Sequence, residues 1–242
     1  MLSVIVPVYN EGAGISENLE GIISYMKGSR MPFEIIVVDD GSTDETASVI
    51  SKFAKGRRAM RIVTHGHNMG IGAALRTGIR SAKGSLILTV DSDLTYSLSN
   101  LPRMLAALEK GADIVIGTPY LRKEDRLEIP FLRYFPSRAG NLFDQLLFGL
   151  NFTTPTCFFR LWKASVAKKI PITFDRFEGV PESSIRASKL GYRITEIPAK
   201  YNMRRTGRGA VKDIKISIRN TFSHLKMLAS LLAFRPKRAS QS

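Results

Sequence analysis

Two carboxylates one residue apart, Asp91 and Asp93, offer the clearest opportunity for chemistry in this 242-residue chain. They follow the apolar run 85–90, which has the length and composition of a buried strand. A strand that ends there would carry both acids to the carboxyl edge of a sheet, where open α/β folds bind ligands. Because Mg²⁺ is usually held by one or two carboxylates plus substrate phosphates, the pair indicates a divalent cation on a diphosphate. An acidic pair with no ligand is the competing interpretation.

The elements that would position these acids alternate between strand and helix. Strands are predicted at 2–8, 33–39, 61–64, 86–91 and 113–117, and helices at 13–27, after Ser42 or Thr43, at 70–82 and at 98–110. The alternation predicts parallel βαβ units and a sheet covered on both faces. Beyond it we expect helices over 130–150 and 180–190 and an edge strand over 192–199. The pair Asp39-Asp40 ends the second strand, which places further acids at the same edge.

The composition excludes several classes of protein. A single cysteine, Cys157, excludes an intramolecular disulfide framework and a cysteine-cluster metal site. The first residues read as a strand rather than a signal peptide. No apolar stretch approaches the ~18 residues that a membrane span needs. We therefore expect a globular enzyme or binding protein on the cytoplasmic side of a membrane.

The net charge of +15 is concentrated at the end of the chain. Residues 200–242 contain eleven Lys and Arg and one acid, Asp213. Such a segment attracts nucleic acid, anionic lipid headgroups or phosphorylated substrates, although charged tails also serve only to solubilise a protein. Within it one apolar stripe at helical spacing predicts an amphipathic helix, formed by Ile214, Ile218, Phe222, Leu225, Leu228 and Leu232. We expect the start of this helix to pack on the domain and its end to contact a membrane interface.

Four motifs occur in a fixed order along the first half of the chain. They are Pro7-Val8-Tyr9-Asn10-Glu11, Val37-Val38-Asp39-Asp40-Gly41-Ser42-Thr43-Asp44, Asn68-Met69-Gly70-Ile71-Gly72-Ala73-Ala74 and Val90-Asp91-Ser92-Asp93. The ordered set resembles the family 2 glycosyltransferases with the GT-A fold, over about the first 120 residues. The third motif is not a dinucleotide fingerprint, because Leu75 stands where the last glycine of that fingerprint belongs.

The resemblance implies a site for a nucleotide diphosphate sugar. Its donor-binding residues would be Pro7, Tyr9, Glu11, Val38, Asp40, Asp91, Ser92 and Asp93. The Asp40 carboxylate would accept hydrogen bonds from a base or ribose, and Tyr9 would offer its ring to the nucleoside. Asp91 and Asp93 would hold Mg²⁺ or Mn²⁺, which neutralises charge developing on the leaving diphosphate. Thr95 stands where the family places a further metal ligand.

The second half resembles the dolichyl-phosphate mannose synthase and polyprenyl-phosphate glucosyltransferase branch of that family. Ser137-Arg138-Ala139-Gly140-Asn141 is similar to a helix of that branch on which the arginine meets the acceptor phosphate. Phe159-Arg160-Leu161-Trp162-Lys163 matches a second segment. The loop 204–212 takes the place of a basic loop that closes over the donor diphosphate, with Arg205 and Lys212 as the closing pair.

The sequence supports one leading function and two alternatives. A lipid monophosphate is already largely dianionic near neutral pH and needs cations to place it rather than a general base. The leading hypothesis is therefore a metal-dependent, inverting transfer of a hexose from GDP-mannose or UDP-glucose to dolichyl or polyprenyl phosphate, with Asp91, Asp93 and Arg138 in catalysis and Ser137 beside Arg138. One alternative is transfer to a glycan hydroxyl with Glu182 as base. The other is a non-catalytic lipid- or polyanion-binding protein, suggested by Thr95, Pro119 and Thr154 at family motif positions.

We accordingly predict a GT-A α/β domain with a mostly parallel sheet, helices on both faces and a C-terminal amphipathic helix. The domain spans 1–200, with a nucleotide-sugar half at 1–120 and an acceptor half at 121–200, and 201–242 forms the basic loop and membrane-proximal helix. The chain would be peripheral on the cytoplasmic face of a membrane. It would reach its lipid through the helices at 130–150 and 212–234, or through a partner membrane protein. No nucleic-acid partner is expected, because no recognition-helix motif is present.

Overall fold

The computed structural model describes residues 1–127, 129, 131–202 and 213–235, and the backbone alone at 131–133 and 213–222. Within this part of the chain, seven strands form one sheet in the order β3-β2-β1-β4-β6-β5-β7. The strands are β1 (Leu2–Val8), β2 (Phe33–Asp39), β3 (Met60–Thr64), β4 (Leu86–Thr89), β5 (Ile114–Thr118), β6 (Arg160–Lys163) and β7 (Ile194–Pro198). Neighbouring strands run parallel except at β6, which is antiparallel to both β4 and β5. The mostly parallel sheet confirms the predicted architecture.

The helices of the first half follow the predicted alternation. They are α1 (Ile15–Gly28), α2 (Thr46–Ala54), α3 (Ile71–Ser81) and α4 (Leu101–Glu109), the last preceded by a short 3-10 turn at Leu98–Asn100. The central strands are apolar at nearly every position because the sheet is buried on both faces. Helix α2 begins at Thr46, so the predicted caps Ser42 and Thr43 lie before the helix and bond to the β1 loop instead.

Strand β6 is absent from the prediction. It is only four residues long, and its first residue is an arginine, so neither length nor alternation marks it as a strand. Leu161 and Trp162 are fully buried between β4 and β5. The antiparallel insertion moves β5 and β7 one strand further from β4 and makes room for the second half of the chain.

The second half contributes α5 (Phe131–Phe148), α6 (Ala164–Ala167), α7 (Gly179–Lys189) and α8 (Asp213–Ala233). Met227, Leu228 and Leu231 of α8 are buried, whereas Leu225 and Leu232 are exposed. The predicted apolar stripe is therefore divided between the core and the surface at this end of the helix. No described helix is long and apolar enough to cross a membrane.

Helix α3 packs unusually closely on the loop before α7. A Cβ atom on Gly72 would lie 2.3 Å from the Phe174 carbonyl oxygen and 2.6 Å from that of Arg176. The Gly72 and Ala73 amides donate to the Arg176 and Asp175 carbonyls. Two backbones can approach this closely only where no side chain separates them, which explains the second glycine of the motif.

We predict that Gly72→Ala lowers the free energy of unfolding by about 2 kcal/mol, because the new methyl group must push two carbonyl oxygens away. Gly28→Ala is the matched control, since its Cβ would meet nothing within 4 Å, and we expect it to leave stability unchanged or slightly raised. Urea unfolding of both variants measures the difference. Equal midpoints for the two variants would contradict the close packing.

Candidate active site

The acidic motifs meet where the order of strands reverses. From β1 the chain proceeds outward through β2 and β3, and then returns to place β4 on the other side of β1. Such a switch point opens a crevice at the carboxyl ends of the strands. Tyr9 to Glu11 follow β1 at this crevice, Asp39-Asp40 end β2, and Asp91 to Asp93 follow β4. The β2 and β4 acids are two strand spacings apart, which is about 10 Å.

Hydrogen bonds tie the loop after β1 to the loop after β2. The Asn10 amide donates to the Ser42 hydroxyl, and the Thr43 amide donates to the Asn10 side-chain oxygen at 2.8 Å. The Glu11 amide donates to the Thr46 hydroxyl. Asn10 itself has a positive φ of 53°, which asparagine tolerates better than most residues. The loops therefore form one wall, which presents the Tyr9 ring, 42% exposed, toward solvent.

Asp44 belongs to this wall rather than to the chemistry. It accepts hydrogen bonds from the Thr46 amide and hydroxyl and from the Gly12 amide. Burial alone would raise the pKa of its carboxyl, but these hydrogen bonds outweigh burial and lower the pKa. Asp44 is therefore an anion at the start of α2, where a negative charge stabilises the helix N-terminus.

The buried Asp40 carboxylate is engaged within the protein. It accepts hydrogen bonds from the Met69 and Gly70 amides at 3.0 and 2.7 Å, and the His65 ring lies 2.7 Å away. Asp40 therefore serves as an internal anion at the N-terminus of α3. The geometry therefore does not favour the predicted contact of Asp40 with a base or ribose, because both carboxylate oxygens already accept hydrogen bonds from backbone amides. The Met69 and Gly70 amides of the glycine motif are thereby engaged by a side chain of the protein itself.

Asp39 is the acid that the sequence did not single out. It is fully buried, one oxygen accepts the Ser42 amide at 3.0 Å, and the other has no hydrogen-bond partner among the described residues. A buried carboxylate oxygen without a donor is costly, so this atom is suited to accept a hydrogen bond from a ligand. In the sequence the two neighbouring acids are equivalent, and only the partners of Asp40 distinguish them.

Asp91 and Asp93 lie on a tight turn directly after β4. The Leu94 amide donates to the Asp91 carbonyl, and Leu94 adopts a positive φ of 52°. One Asp93 oxygen accepts from the Thr95 amide at 3.0 Å and from the Thr95 hydroxyl at 2.7 Å. Thr95 thus orients Asp93, which differs from its predicted place as a third metal ligand. Ser92 is buried between the two acids.

The charge of Asp91 affects the pKa values of two buried groups, the Tyr96 phenol and the Cys157 thiol. Burial first, then Cys157 and Asp91, raise the pKa of the Tyr96 phenol. Burial and the Asp91 charge raise the pKa of the Cys157 thiol to about 12. Tyr96 also stacks on Phe159, with 5.6 Å between ring centroids. Asp91 therefore stands against weakly polar groups, where the attraction between a carboxylate and a cation is stronger than it is in water.

The donor set fits a hard divalent cation. Two aspartates at the mouth of the crevice supply the oxygen ligands that Mg²⁺ and Mn²⁺ prefer. Across the part of the chain with described side chains, no group of three or more His, Cys, Asp and Glu could hold a metal. A cation at Asp91 and Asp93 would thus take its remaining ligands from substrate phosphates or water, which is the usual arrangement for Mg²⁺.

Arg138 lies on α5 beside Tyr120, which follows β5. One of its terminal nitrogens is buried without a hydrogen-bond partner among the described residues, and the guanidinium lies 6.0 Å over the Tyr120 ring. The Tyr120 hydroxyl donates to Ser137 at 3.1 Å. Tyr120 also acts on the Tyr96 phenol, which in turn is affected by Asp91. Two tyrosines therefore connect the acid pair to the predicted phosphate-binding Arg138.

The inner face of α5 continues with buried polar groups that the sequence did not assign. The Asn141 side-chain oxygen accepts from the Thr156 hydroxyl at 2.8 Å, and its nitrogen has no partner in the described structure. Asp144 is fully buried and lies 3.0 Å from the His224 ring. Their spacing from Arg138, three and six residues, places all three on one face of the helix. That periodicity was available in the sequence, but it marks the face as polar without showing that the face is buried.

Thr154, which departs from the family motif, and Arg160, which matches it, both have buried partners within the protein. Thr154 is fully buried and its hydroxyl donates to Glu196 of β7, which also accepts from Thr153. Arg160 is buried and donates to the carbonyls of Pro155, Cys157 and Val180. Burial lowers the pKa of Arg160 to about 10, so it remains charged at neutral pH. Both residues therefore hold the segment 154–160 against β7 and α7.

Glu182 has no free surface for use as a general base. It is fully buried and accepts hydrogen bonds from the Thr173 and Phe174 amides and from the Arg186 guanidinium at 2.9 Å. These contacts hold the loop on which α3 rests. Glu182 is therefore not available as the general base that transfer to a glycan hydroxyl would need.

The remaining predicted donor residues fall into three groups. Glu11 and Pro7 lie at the crevice, half-buried. Val38 is fully buried in the core, so its side chain is not available to a nucleotide. Arg205 and Lys212, the predicted closing pair, lie outside the described residues.

Comparison of the sequence with known proteins identifies a matching family and similar relatives. A family model described as glycosyl transferase family 2 matches residues 3–170. An undecaprenyl-phosphate 4-deoxy-4-formamido-L-arabinose transferase of Edwardsiella ictaluri is 31% identical over 85% of this chain and 61% of its own length. A dodecaprenyl-phosphate galacturonate synthase of Rhizobium johnstonii is 30% identical over 96% of this chain and 67% of its own length. The chain thus spans about three fifths to two thirds of these relatives.

Solved structures share the fold. Glucosyl-3-phosphoglycerate synthase from Mycobacterium tuberculosis, in complex with Mn²⁺, UDP and phosphoglyceric acid, aligns with a TM-score of 0.67 and 18% identity over 98% of this chain and 80% of that one. A mannosyltransferase from Pyrobaculum calidifontis, in complex with GDP-mannose and Mn²⁺, aligns with a TM-score of 0.63 and 21% identity over 98% and 65% of the two chains. These likenesses confirm the predicted GT-A fold. With the family match over residues 3–170, the crevice and its acids show that this chain belongs to glycosyl transferase family 2.

Proposed function

We propose that this chain transfers a sugar from a nucleotide diphosphate sugar to a polyprenyl phosphate, with Mg²⁺ or Mn²⁺ at Asp91 and Asp93. The observation that supports the proposal is the unpartnered Arg138 nitrogen, which Tyr120 and Tyr96 connect to Asp91. Asp91 and Asp93 are suited to a cation on a diphosphate, and Arg138 is suited to a phosphate anion. The named relatives act on undecaprenyl and dodecaprenyl phosphate, which favours a polyprenyl over a dolichyl acceptor.

In the donor half of the crevice, residues at the ends of different strands would contact different parts of the nucleotide sugar. The Tyr9 ring offers an exposed face for the base or ribose, and the unpartnered Asp39 oxygen offers an acceptor. Asp93, oriented by Thr95, and Asp91 would hold the metal, which supplies positive charge for the departing diphosphate. GDP-mannose and UDP-glucose remain the proposed donors.

The acceptor half requires no general base. Arg138 holds the acceptor phosphate, and Ser137, fixed by the Tyr120 hydroxyl, stands beside it. A phosphate oxygen attacks the anomeric carbon while the bond from that carbon to the diphosphate breaks, so the configuration inverts. No proton needs to be removed, because the attacking oxygen is already anionic near neutral pH. The buried, fully engaged Glu182 is consistent with this route.

The chain would then lie on the cytoplasmic face of a membrane, where it would meet its polyprenyl phosphate. The two halves, 1–120 and 121–200, correspond to donor and acceptor, and 201–242 to the membrane-proximal segment. A partner membrane protein remains part of this proposal.

A transfer assay tests the reaction directly. The purified chain would be incubated with undecaprenyl phosphate, Mg²⁺ or Mn²⁺, and radiolabelled GDP-mannose, UDP-glucose, UDP-N-acetylglucosamine or UDP-galacturonate. Label in an organic-extractable, mild-acid-labile lipid would support the proposal and identify the sugar. Donor binding without such label would point to another acceptor, and absence of metal-dependent donor binding would point to a non-catalytic scaffold.

We predict that Asp91→Ala and Asp93→Ala each abolish transfer, with losses on the order of a thousandfold or more, because the metal stabilises charge on the leaving group by several kcal/mol. Calorimetry with Mn²⁺ and UDP or GDP should show the same loss in binding. Asp113→Ala is the control, since Asp113 precedes β5 at the opposite edge of the sheet and pairs with Lys163. Wild-type transfer by Asp93→Ala would overturn the metal assignment.

We predict that Arg138→Ala raises KM for the polyprenyl phosphate roughly tenfold to a hundredfold, the loss expected of a charged hydrogen bond. The KM for the donor should stay unchanged, because Arg138 is proposed to contact the acceptor phosphate and not the donor. Steady-state kinetics with each substrate varied in turn gives both values. Arg103→Ala, on the exposed side of α4, serves as the control. An equal rise in the donor KM would contradict the acceptor role.

A further inference from the structure

Helix α5 is amphipathic in the reverse sense to an ordinary surface helix. Its buried face carries the polar Arg138, Asn141 and Asp144. Its exposed face is a continuous apolar stripe of six residues, Phe135, Ala139, Leu142, Phe143, Leu146 and Leu147. Leu146 is 75% exposed and Phe143 is 52% exposed. A contiguous apolar surface of this kind marks an interaction site, since a soluble surface helix buries such a stripe.

Helix α8 also exposes leucines. His224 contacts Asp144, so this part of α8 lies beside α5. Leu225, next to His224, and Leu232 are both more than half exposed. Two adjacent helices therefore present leucine to the outside although each has a separate buried face.

A basic pocket lies at the start of the stripe. It has a volume of about 260 Å³ and is lined by Lys123, Arg126, Leu127, Ile129 and Tyr134. Arg126 donates to the Tyr134 hydroxyl at 3.1 Å, and Tyr134 makes an edge contact with Phe135, the first residue of the stripe. Leu127 is 71% exposed. Of the charged run Lys123-Glu124-Asp125-Arg126, only the two cations line the pocket. With the exposed apolar side chains, this lining matches an amphiphile that has an anionic head.

We infer that this pocket binds the phosphate headgroup of an anionic phospholipid while the stripe on α5 lies among the acyl chains. Charge complementarity favours a lipid surface over a second copy of the chain, because another molecule of net charge +15 would be repelled. An interfacial helix with cations at its border and Leu and Phe on its apolar face is the usual form of such a contact. The inference rests on the proposed membrane-borne acceptor, and it adds a lipid site separate from the one at Arg138.

The proposed headgroup contact would orient α5 in a way that favours sugar transfer. The Arg126 guanidinium lies near Tyr134, Tyr134 lies 5.8 Å from Tyr120, and Arg138 lies over Tyr120. A headgroup held at Arg126 would therefore set the depth of α5 so that Arg138 faces inward, close to the level of the lipid phosphates. A polyprenyl phosphate could then reach Arg138 while its chain stays in the membrane.

Vesicle binding tests the inference without donor or polyprenyl phosphate, so its failure is distinct from failure of the transfer reaction. The full chain would be sedimented with vesicles of phosphatidylcholine, with and without phosphatidylglycerol. We expect the pair Lys123→Gln and Arg126→Gln to weaken binding to the anionic vesicles roughly fivefold per charge. The pair Lys52→Gln and Lys55→Gln, of equal charge change, lies on or just after α2, beside the far edge strand β3, and should retain wild-type binding.

Two further variants keep the inference falsifiable. Phe143→Ser with Leu146→Ser should weaken vesicle binding without lowering the melting temperature, because both side chains are already exposed. Equal loss of binding in both charge pairs would overturn the pocket, since charge alone would then explain it. A self-association that these serine variants abolish, with no vesicle binding, would assign the stripe to a second copy. Unchanged vesicle binding with a raised acceptor KM in the Lys123 and Arg126 pair would assign the pocket to the polyprenyl phosphate and overturn the headgroup site.

Discussion

The buried carboxylate of Asp40 is the constraint on which the rest of the crevice depends. It occupies the N-terminus of α3, where the Met69 and Gly70 amides would otherwise lack acceptors. That contact fixes α3 against the end of β2, and α3 in turn rests on the loop at 174–176 through Gly72. Glu182 holds the same loop from α7. A chain of backbone hydrogen bonds, several of them to buried acids, thus joins the first half of the chain to the second.

The acids of this chain have distinct roles that follow from their surroundings. Asp40, Asp44 and Glu182 are saturated by amides and neighbouring side chains, so they stabilise loops and helix ends. Asp39 keeps a buried oxygen without a partner in the described structure, and Asp91 imposes its charge on Tyr96 and Cys157. Saturated carboxylates hold a scaffold, whereas the unpartnered Asp39 oxygen is suited to bind what the protein itself does not supply. The same distinction applies to cations, since Arg160 is saturated by carbonyls and Arg138 is not.

The reversed amphipathicity of α5 would connect the proposed acceptor site to a lipid surface. Its polar residues Arg138 and Asn141 face the domain, and its leucines and phenylalanines lie outside. In water this arrangement is unfavourable, because apolar area stays exposed. At a membrane the same arrangement is favourable on both faces. One helix would then provide the acceptor-binding groups and the surface that brings the acceptor to them.

The sequence by itself determined the alternating elements of the first half, because hydrophobic periodicity reports local structure directly. The bounds of β1 and β2 and the order of the acidic strand ends were predicted correctly. Strand β6 was missed, since four residues beginning with a buried arginine carry no periodic signal. Only the tertiary structure separated Asp39 from Asp40, removed Glu182 from the candidate bases and showed which face of α5 is buried. A role of that kind depends on which donors and acceptors arrive from distant parts of the chain, and residue type and spacing do not encode those partners.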